Sequence, residues 1–189
     1  LSGSQYNDFR NEYLKNSQTN YTPVAYNGIN TDWFDLLNVA GIYNKYNFNV
    51  SGANSKLSYR SSLSYLTIDE PQKGNKTQQL NAGINLGYRV DKFDVSLSLN
   101  PSYIQKNAPN IYYSYAFVPT ISPYNADGSY ANVGVSGLGN PLAAIEQNKN
   151  ITDSYGLLGS LNASYEFNKF LSFSTLFGIY YKDKTQDRY

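Results

Sequence analysis

The sequence predicts an all-β protein: an antiparallel, up-and-down transmembrane β-barrel arrangement, with about six strands and long loops at one end. Three observations predict this fold. Apolar and polar residues alternate through most of the chain from residue 42 onward, which is typical of strands with one apolar face. The connections are short at one end of the predicted strands and long at the other. There are 20 Tyr and 9 Phe against 1 Trp, and Tyr favours strands and half-wet surfaces.

Residues 1–41 are predicted to be an extracellular loop or irregular segment that leads into the barrel strands. Apolar residues near helical spacing indicate weak helical character there, with Ser4 as a candidate N-cap: Tyr6, Phe9, Tyr13 and Leu14. The stretch YTPVAYNGINTDWFDLL then mixes turn residues with aromatic ones.

Residues 42–189 carry the predicted strands, and their turns set the order of the strands. SGANSK is a tight turn, DEPQKGNKTQ is a polar loop, and Asp91-Lys92 and Asn168-Lys169 are two-residue turns. The run from Leu80 to Val90 would be about 35 Å long at ~3.3 Å per residue, which covers ~25 Å of bilayer at a tilt of ~45°. An aromatic girdle is expected near the strand ends, from Tyr88, Phe93, Tyr165, Phe167, Phe170, Tyr180 and Tyr181.

A long insert at about residues 107–152 is predicted to be functional or structured, since an ordinary connection has ~4–6 residues. Within it, GNPLAAIEQNK predicts a short helix with Asn140 as the N-cap and Pro141 at the first position. Aromatic residues of the insert, together with one upstream Trp, are the candidates for contact with a substrate or a partner: Tyr112, Tyr113, Tyr115, Phe117, Tyr124 and Trp33. The alternative is that these rings pack the loops against the barrel mouth.

The composition excludes several classes of function. The net charge of +1 does not favour a nucleic-acid binder, and no run of 18 apolar residues could form a membrane helix. The chain has no His and no Cys, which excludes Ser-His-Asp and Cys-His catalysis and the usual zinc sites. NADGSY predicts a β-turn at Asp127-Gly128 rather than a calcium loop. We therefore expect neither an enzyme nor a cofactor.

Periodicity alone leaves one alternative open. A soluble barrel or sandwich has the same alternation, with its apolar face turned to a core instead of to lipid.

Several segments resemble the SusC/RagA family of TonB-dependent outer-membrane transporters. They are NTDWFDLL at 30–37 with YNFNVSGANSKLSYRSSLSYL at 46–66, SPYNADGSY at 122–130, GNPLAAIEQNKN at 139–150 and LGSLNASYEFNKFLSFSTLFGIYY at 158–181. Their order and spacing match along nearly the whole chain. Ala53 departs from the pattern, because the family often has a second Gly there, which is a minor change in the turn.

The resemblance implies a fragment of a 22-stranded barrel, approximately its second to seventh strands. It also implies energised import of oligosaccharides or peptides by a multi-pass protein of the bacterial outer membrane. A SusD-like surface lipoprotein would act as a lid, and TonB would act through regions outside this chain. A siderophore-type receptor, a porin and a soluble β-rich binding module are the alternatives left open.

Overall fold

Over the residues that it describes, a computed structural model of the chain shows one sheet of six antiparallel strands, arranged in the order of the sequence. The structure describes residues 1–17, 20–109, 117–133 and 139–188. The strands are β1 (Ile42–Ala53), β2 (Leu57–Asp69), β3 (Lys76–Val90), β4 (Phe93–Asn107), β5 (Asn150–Asn168) and β6 (Leu171–Arg188). The predicted up-and-down arrangement of about six strands is confirmed, and the sheet is open, with β1 and β6 at its edges.

The register of the strands sorts the side chains onto two faces. Tyr65 pairs with Leu80, Leu80 pairs with Tyr103, and Tyr103 pairs with Tyr155. Side chains of directly paired residues project to the same side, so such positions form one continuous surface across the sheet. We call this surface the apolar face, and its other members include Phe48, Leu63, Ile84, Leu86, Leu97, Leu99, Leu161, Phe173, Phe177 and Ile179.

The opposite surface, the polar face, carries mainly Ser, Asn, Gly and Arg. Its members include Asn47, Arg60, Asn81, Asn85, Ser96, Ser98, Ser160 and Asn162. A hollow of about 680 Å³ lies on this face, and its lining includes Arg60, Asn85, Ser96, Ser98 and Ser160. Tyr180 pairs with Leu158 on this face, so its predicted place in the aromatic girdle is wrong, because its neighbour Tyr181 takes the apolar side.

The apolar face ends sharply at the end of the sheet that carries the long loops. A row of Tyr closes it: Tyr46, Tyr65, Tyr103 and Tyr155. The rings of Tyr103 and Tyr155 lie 4.9 Å apart. Two residues further along β4, on the same face, Gln105 pairs with Asp153, whose carboxylate accepts hydrogen bonds from the Tyr103 hydroxyl at 2.6 Å and the Gln105 amide at 3.0 Å. The row beyond the tyrosines is therefore polar on both β4 and β5.

The other end of the sheet has short turns. Asp91 takes a positive φ of 49° in the two-residue turn between β3 and β4. Between β5 and β6 the turn residues are Lys169 and Phe170, not the predicted Asn168-Lys169, because Asn168 still pairs with Leu171 beyond a bulge. The Asn168 side chain accepts a hydrogen bond from the Phe170 backbone N–H at 2.9 Å, which closes the turn.

In the described part of the chain, three helices lie outside the sheet: α1 (Gly3–Ser17), α2 (Trp33–Leu37) and α3 (Pro141–Gln147). Two of them lie before β1, where the sequence predicts an irregular segment with weak helical character. Within the described ranges, no helix has the length and apolar content needed to cross a membrane.

Helix α1 begins with a reciprocal cap. The Gln5 backbone N–H donates to the Ser2 hydroxyl at 3.2 Å, and the Ser2 N–H donates to the Gln5 side chain at 2.9 Å. Ser2 is therefore the N-cap and the prediction of Ser4 is wrong, since only Ser2 has Gln three residues later to complete the pair.

Candidate functional site

The long loops enclose a small hydrophobic core at one end of the sheet. We call it the loop core, and it consists of Trp33, Leu37, Phe117, Val133 and Leu142. It is assembled from α2, from the described part of the insert and from α3, with Leu36, Ile121, Tyr130 and Ile145 packed against it. The structured insert therefore has its own interior, to which the segment before β1 contributes.

Trp33 is held at the centre of the loop core. The Asp32 side chain caps α2 by accepting a hydrogen bond from the Asp35 N–H at 3.0 Å. The cap starts the helix just before Trp33, whose ring is 3% exposed, lies 5.1 Å from the Phe117 ring and donates from Nε1 to the Val118 carbonyl at 2.9 Å. Phe117 is 6% exposed, so a substrate would reach either ring only if the loops rearranged.

Backbone and side-chain hydrogen bonds join the segment before β1 to the segment after β4. The Thr31 N–H donates to the Pro119 carbonyl at 2.8 Å, and the Thr31 hydroxyl donates to the Ile121 carbonyl at 2.7 Å. The Asn27 amide donates to the Thr120 carbonyl at 2.8 Å. Two stretches that lie about 90 residues apart in sequence are therefore fastened side by side.

A short hairpin projects from the loop core and is centred on the predicted turn at Asp127-Gly128. The Gly128 N–H donates to the Asn125 carbonyl at 3.0 Å, and Gly128 takes a φ of 83°, which favours Gly. The Asp127 carboxylate accepts hydrogen bonds from the Ser129 hydroxyl at 2.6 Å and backbone N–H at 3.0 Å. These bonds lower the pKa of Asp127. The bond between Gly128 and Asn125 closes a β-turn over residues 125–128, which contains the predicted Asp127-Gly128 pair.

Asn140 connects this hairpin to α3. Its side-chain oxygen accepts from the Leu142 N–H at 3.0 Å and from the Ala143 N–H at 3.4 Å, which confirms the predicted N-cap. Its side-chain nitrogen donates to the Pro123 carbonyl at 2.8 Å and the Ala131 carbonyl at 3.0 Å, on the two strands of the hairpin. The amide thus uses both its oxygen and its nitrogen, and it positions the hairpin on the helix.

The exposed side of the hairpin combines two aromatic rings with a carboxylate. The Tyr124 and Tyr130 rings lie 5.6 Å apart, and Tyr124 is 43% exposed. The Tyr130 hydroxyl donates a hydrogen bond to the Glu146 carboxylate of α3, which raises the pKa of Tyr130 to about 12. We call this arrangement the tyrosine–glutamate surface. Ring faces can pack on sugar rings or apolar side chains, and a carboxylate accepts hydrogen bonds from hydroxyl and ammonium groups.

The structure separates the predicted site residues into groups. Trp33 and Phe117 meet inside the loop core, whereas Tyr124 lies on the tyrosine–glutamate surface. Tyr112, Tyr113 and Tyr115 lie outside the described residues. Contact of any of these six with a substrate or a partner stays a prediction. Tyr130 and Glu146 are not among the predicted residues, because they are 16 positions apart in sequence and are brought together only by the fold.

In the part of the chain that the structure describes, no group of three or more acidic residues is placed to hold a metal ion.

Comparison with known proteins gives one clear relative. The chain is 32% identical over 167 residues to TonB-dependent receptor P26 of Formosa agariphila, an alignment that covers 85% of this chain and 17% of that protein. No protein-family model matches the chain. The chain therefore spans about one sixth of the length of this curated relative.

Two solved structures share the fold. The RagAB peptide transporter matches with a TM-score of 0.68 at 16% identity, over 98% of this chain and 23% of the matched one. The RagAB peptide importer in its closed-closed state matches with a TM-score of 0.69 at 15% identity, over 100% of this chain and 23% of the other. At these identities the likeness describes the fold alone.

Proposed function

The chain belongs to the TonB-dependent receptor family, and from that premise we propose that it forms a sector of a transmembrane barrel that imports a nutrient across the bacterial outer membrane. The observation that carries the proposal is the two-faced sheet, with a continuous apolar face, a polar face that holds a hollow of about 680 Å³, and long loops at one end. The apolar face would contact lipid and the polar face would line the wet interior, as in outer-membrane barrels.

The lengths of the loops indicate which end of the sheet would face the outside of the cell. Outer-membrane barrels have short periplasmic turns and longer extracellular loops. The turns at Asp91-Lys92 and Lys169-Phe170 would therefore face the periplasm, and the loop core and the tyrosine–glutamate surface would face the outside of the cell.

The imported nutrient would be a peptide or an oligosaccharide. The RagAB structures are those of a peptide transporter, which supports a peptide. The paired rings of Tyr124 and Tyr130 beside Glu146 would suit either a sugar or a peptide, since both carry hydroxyl or ammonium donors next to apolar surface. Of the predicted site residues that the structure describes, Tyr124 is the one exposed enough to contact such a ligand.

Two partners follow from the same proposal. RagAB is named as a two-part assembly, which supports a surface lipoprotein of the SusD type as a lid over the loop core. TonB would act through parts of the transporter outside this chain. No reaction on the substrate is proposed, because the role is transport.

Orientation can be tested by labelling with a maleimide that does not cross the outer membrane. The chain has no Cys, so in full-length protein without other cysteines Asp127→Cys marks the hairpin and the matched Lys92→Cys marks the opposite turn. We expect Asp127→Cys to react in intact cells and Lys92→Cys to react only after the outer membrane is permeabilised. Equal labelling of both in intact cells would contradict a membrane-spanning sheet.

Transport is tested by uptake. Deletion of the gene for the full-length protein should abolish accumulation of either labelled peptides or labelled oligosaccharides, and re-expression in a strain without TonB should not restore it. Uptake that persists without TonB would favour a porin.

A further inference from the structure

We propose that a cleft on the outer rim of the sheet binds the phosphorylated sugar headgroup of a glycolipid in the outer leaflet. The cleft has a volume of about 360 Å³ and is formed by the loop between β2 and β3 and by the strand ends beside it. Its lining includes Asp69, Lys73, Asn75, Lys76, Gln78 and Gln105. The inference rests on the proposed membrane position of the apolar face.

The position of the cleft selects a lipid headgroup as its ligand. Lys76, Gln78 and Gln105 occupy the same side of the sheet as the apolar face, because Gln78 pairs with Gln105 and Leu80 pairs with Tyr103 two residues further along. Two residues of strand correspond to about 7 Å. The floor of the cleft thus lies just beyond the last apolar row, on the lipid side, at the depth of the headgroups.

The cleft contains two lysines whose ammonium groups form few or weak interactions with other residues. The Lys73 ammonium forms no ion pair or hydrogen bond with any other described residue. Lys76 lies 3.6 Å from Asp69, and both side chains are about half exposed, at 50% and 43%, so this pair is weak and can be rearranged. Two ammonium groups within one cleft can bind a phosphate from two directions.

The same cleft offers acceptors for sugar hydroxyl groups. The Asn75 side-chain oxygen is buried and has no hydrogen-bond partner among the described residues, although its amide nitrogen donates to Glu70 at 3.1 Å. This oxygen has almost no accessible surface, so a ligand would reach instead the partly exposed carboxylates of Asp69 and Glu70, which are 43% and 34% exposed. Glu70 also lies 3.6 Å from the Lys106 ammonium. Three lysines therefore surround two carboxylates, which favours a ligand with both phosphate and hydroxyl groups.

The test uses the full-length transporter, purified in detergent and analysed by native mass spectrometry. The probes are a phosphorylated, acylated glucosamine disaccharide, the same glycolipid without phosphate, and the phosphorylated disaccharide without acyl chains. The test variant is Lys73→Ala/Lys76→Ala. The control is Lys56→Ala/Lys92→Ala, which removes the same charge at the opposite end of the sheet. Thermal unfolding of both variants must match that of the wild type.

We expect the phosphorylated glycolipid to bind the wild type and the control alike, and to bind the test variant at least about tenfold more weakly, the factor expected from one charge-assisted hydrogen bond. Equal binding to all three proteins, or no preference for phosphate, would overturn the inference. Equal competition by the disaccharide without acyl chains would also overturn it, by indicating a soluble ligand. If the protein instead stays monomeric without detergent, the proposed membrane function itself fails.

Discussion

The Asn140 side chain donates a hydrogen bond to the Pro123 carbonyl at 2.8 Å while the same side chain caps the helix that follows it. One amide thus fixes the hairpin relative to α3 and, through α3, fixes Tyr130 relative to Glu146. Because an amide is the group that can accept at one atom and donate at the other, few replacements can serve both purposes.

Replacing Asn140 with Asp should separate these two roles. The carboxylate can still cap α3, but it cannot donate to the two hairpin carbonyls, so we expect the loop core to lose about 1–3 kcal/mol of local stability. Hydrogen exchange of residues 117–133 in the full-length protein measures the change. Gln147→Glu, an exposed amide-to-acid change on the same helix, is the control and should have little effect. Unchanged exchange in Asn140→Asp would mean that the hairpin is held by other contacts.

Replacing Trp33 with Ala should open the loop core and leave the sheet intact. The substitution removes a buried ring from Phe117 and leaves the Val118 carbonyl without its donor, and such a change costs about 3–5 kcal/mol in a packed core. Protease cleavage within the loops of assembled protein should increase. The neighbouring Phe34 is 68% exposed, so Phe34→Ala should stay within about 0.5 kcal/mol of the wild type. Equal cleavage in both variants would contradict a central role for Trp33.

A charge should be tolerated on one face of the sheet and not on the other. Leu99 lies on the apolar face, paired with Ile84, and the adjacent Ser98 lies on the polar face, paired with Asn85. Leu99→Arg should destabilise the barrel by about 2–4 kcal/mol, the cost of Arg near the middle of a bilayer, whereas Ser98→Arg should assemble normally. The fraction of folded protein in outer membranes measures this. The reverse order would mean that the apolar face does not contact lipid.

The tyrosine–glutamate surface should respond to alkaline pH. The Tyr130 hydroxyl donates to Glu146, so folding favours the protonated phenol and raises its pKa to about 12, against 10.0 in the absence of this contact. The contact is therefore fully present below pH 10 and should be lost as the pH rises from about 10 to about 12. An ultraviolet difference titration of wild type against Tyr130→Phe isolates this phenol. A difference titration centred near the ordinary value of 10 would show that the hydrogen bond does not persist in solution.

Much of the sheet could be predicted from the sequence, because the patterns that indicate each strand lie within that strand. Alternation along β3 identifies both faces without any knowledge of the neighbouring strands, and the Asn140-Pro141 pair identifies the start of α3. The contact between Trp33 and Phe117 could not be predicted, because it joins residues 84 positions apart and depends on where four strands place their ends.

Helix α1 shows a second feature that hydrophobic periodicity in the sequence does not predict. Its apolar residues suggest a buried face, yet Phe9 and Tyr13 are 61% and 63% exposed while Asn7 is buried. The Asn7 and Asn11 amides both donate to the Val24 carbonyl at 2.9 Å, so hydrogen bonds rather than apolar burial hold the helix. Hydrophobic periodicity carries no signal for such an attachment.

The fastening of Thr31 to Pro119 and Ile121 also has a mechanical consequence. It joins the chain that enters β1 to the chain that leaves β4, across three interstrand spacings, or about 14 Å of wall. These hydrogen bonds restrain the loop ends of β1 to β4, because moving the four strands apart would break both the hydrogen bonds and the loop core. β5 and β6 lie outside the four strands that this connection spans. Any widening of the mouth within this sector is therefore expected on the β5–β6 side.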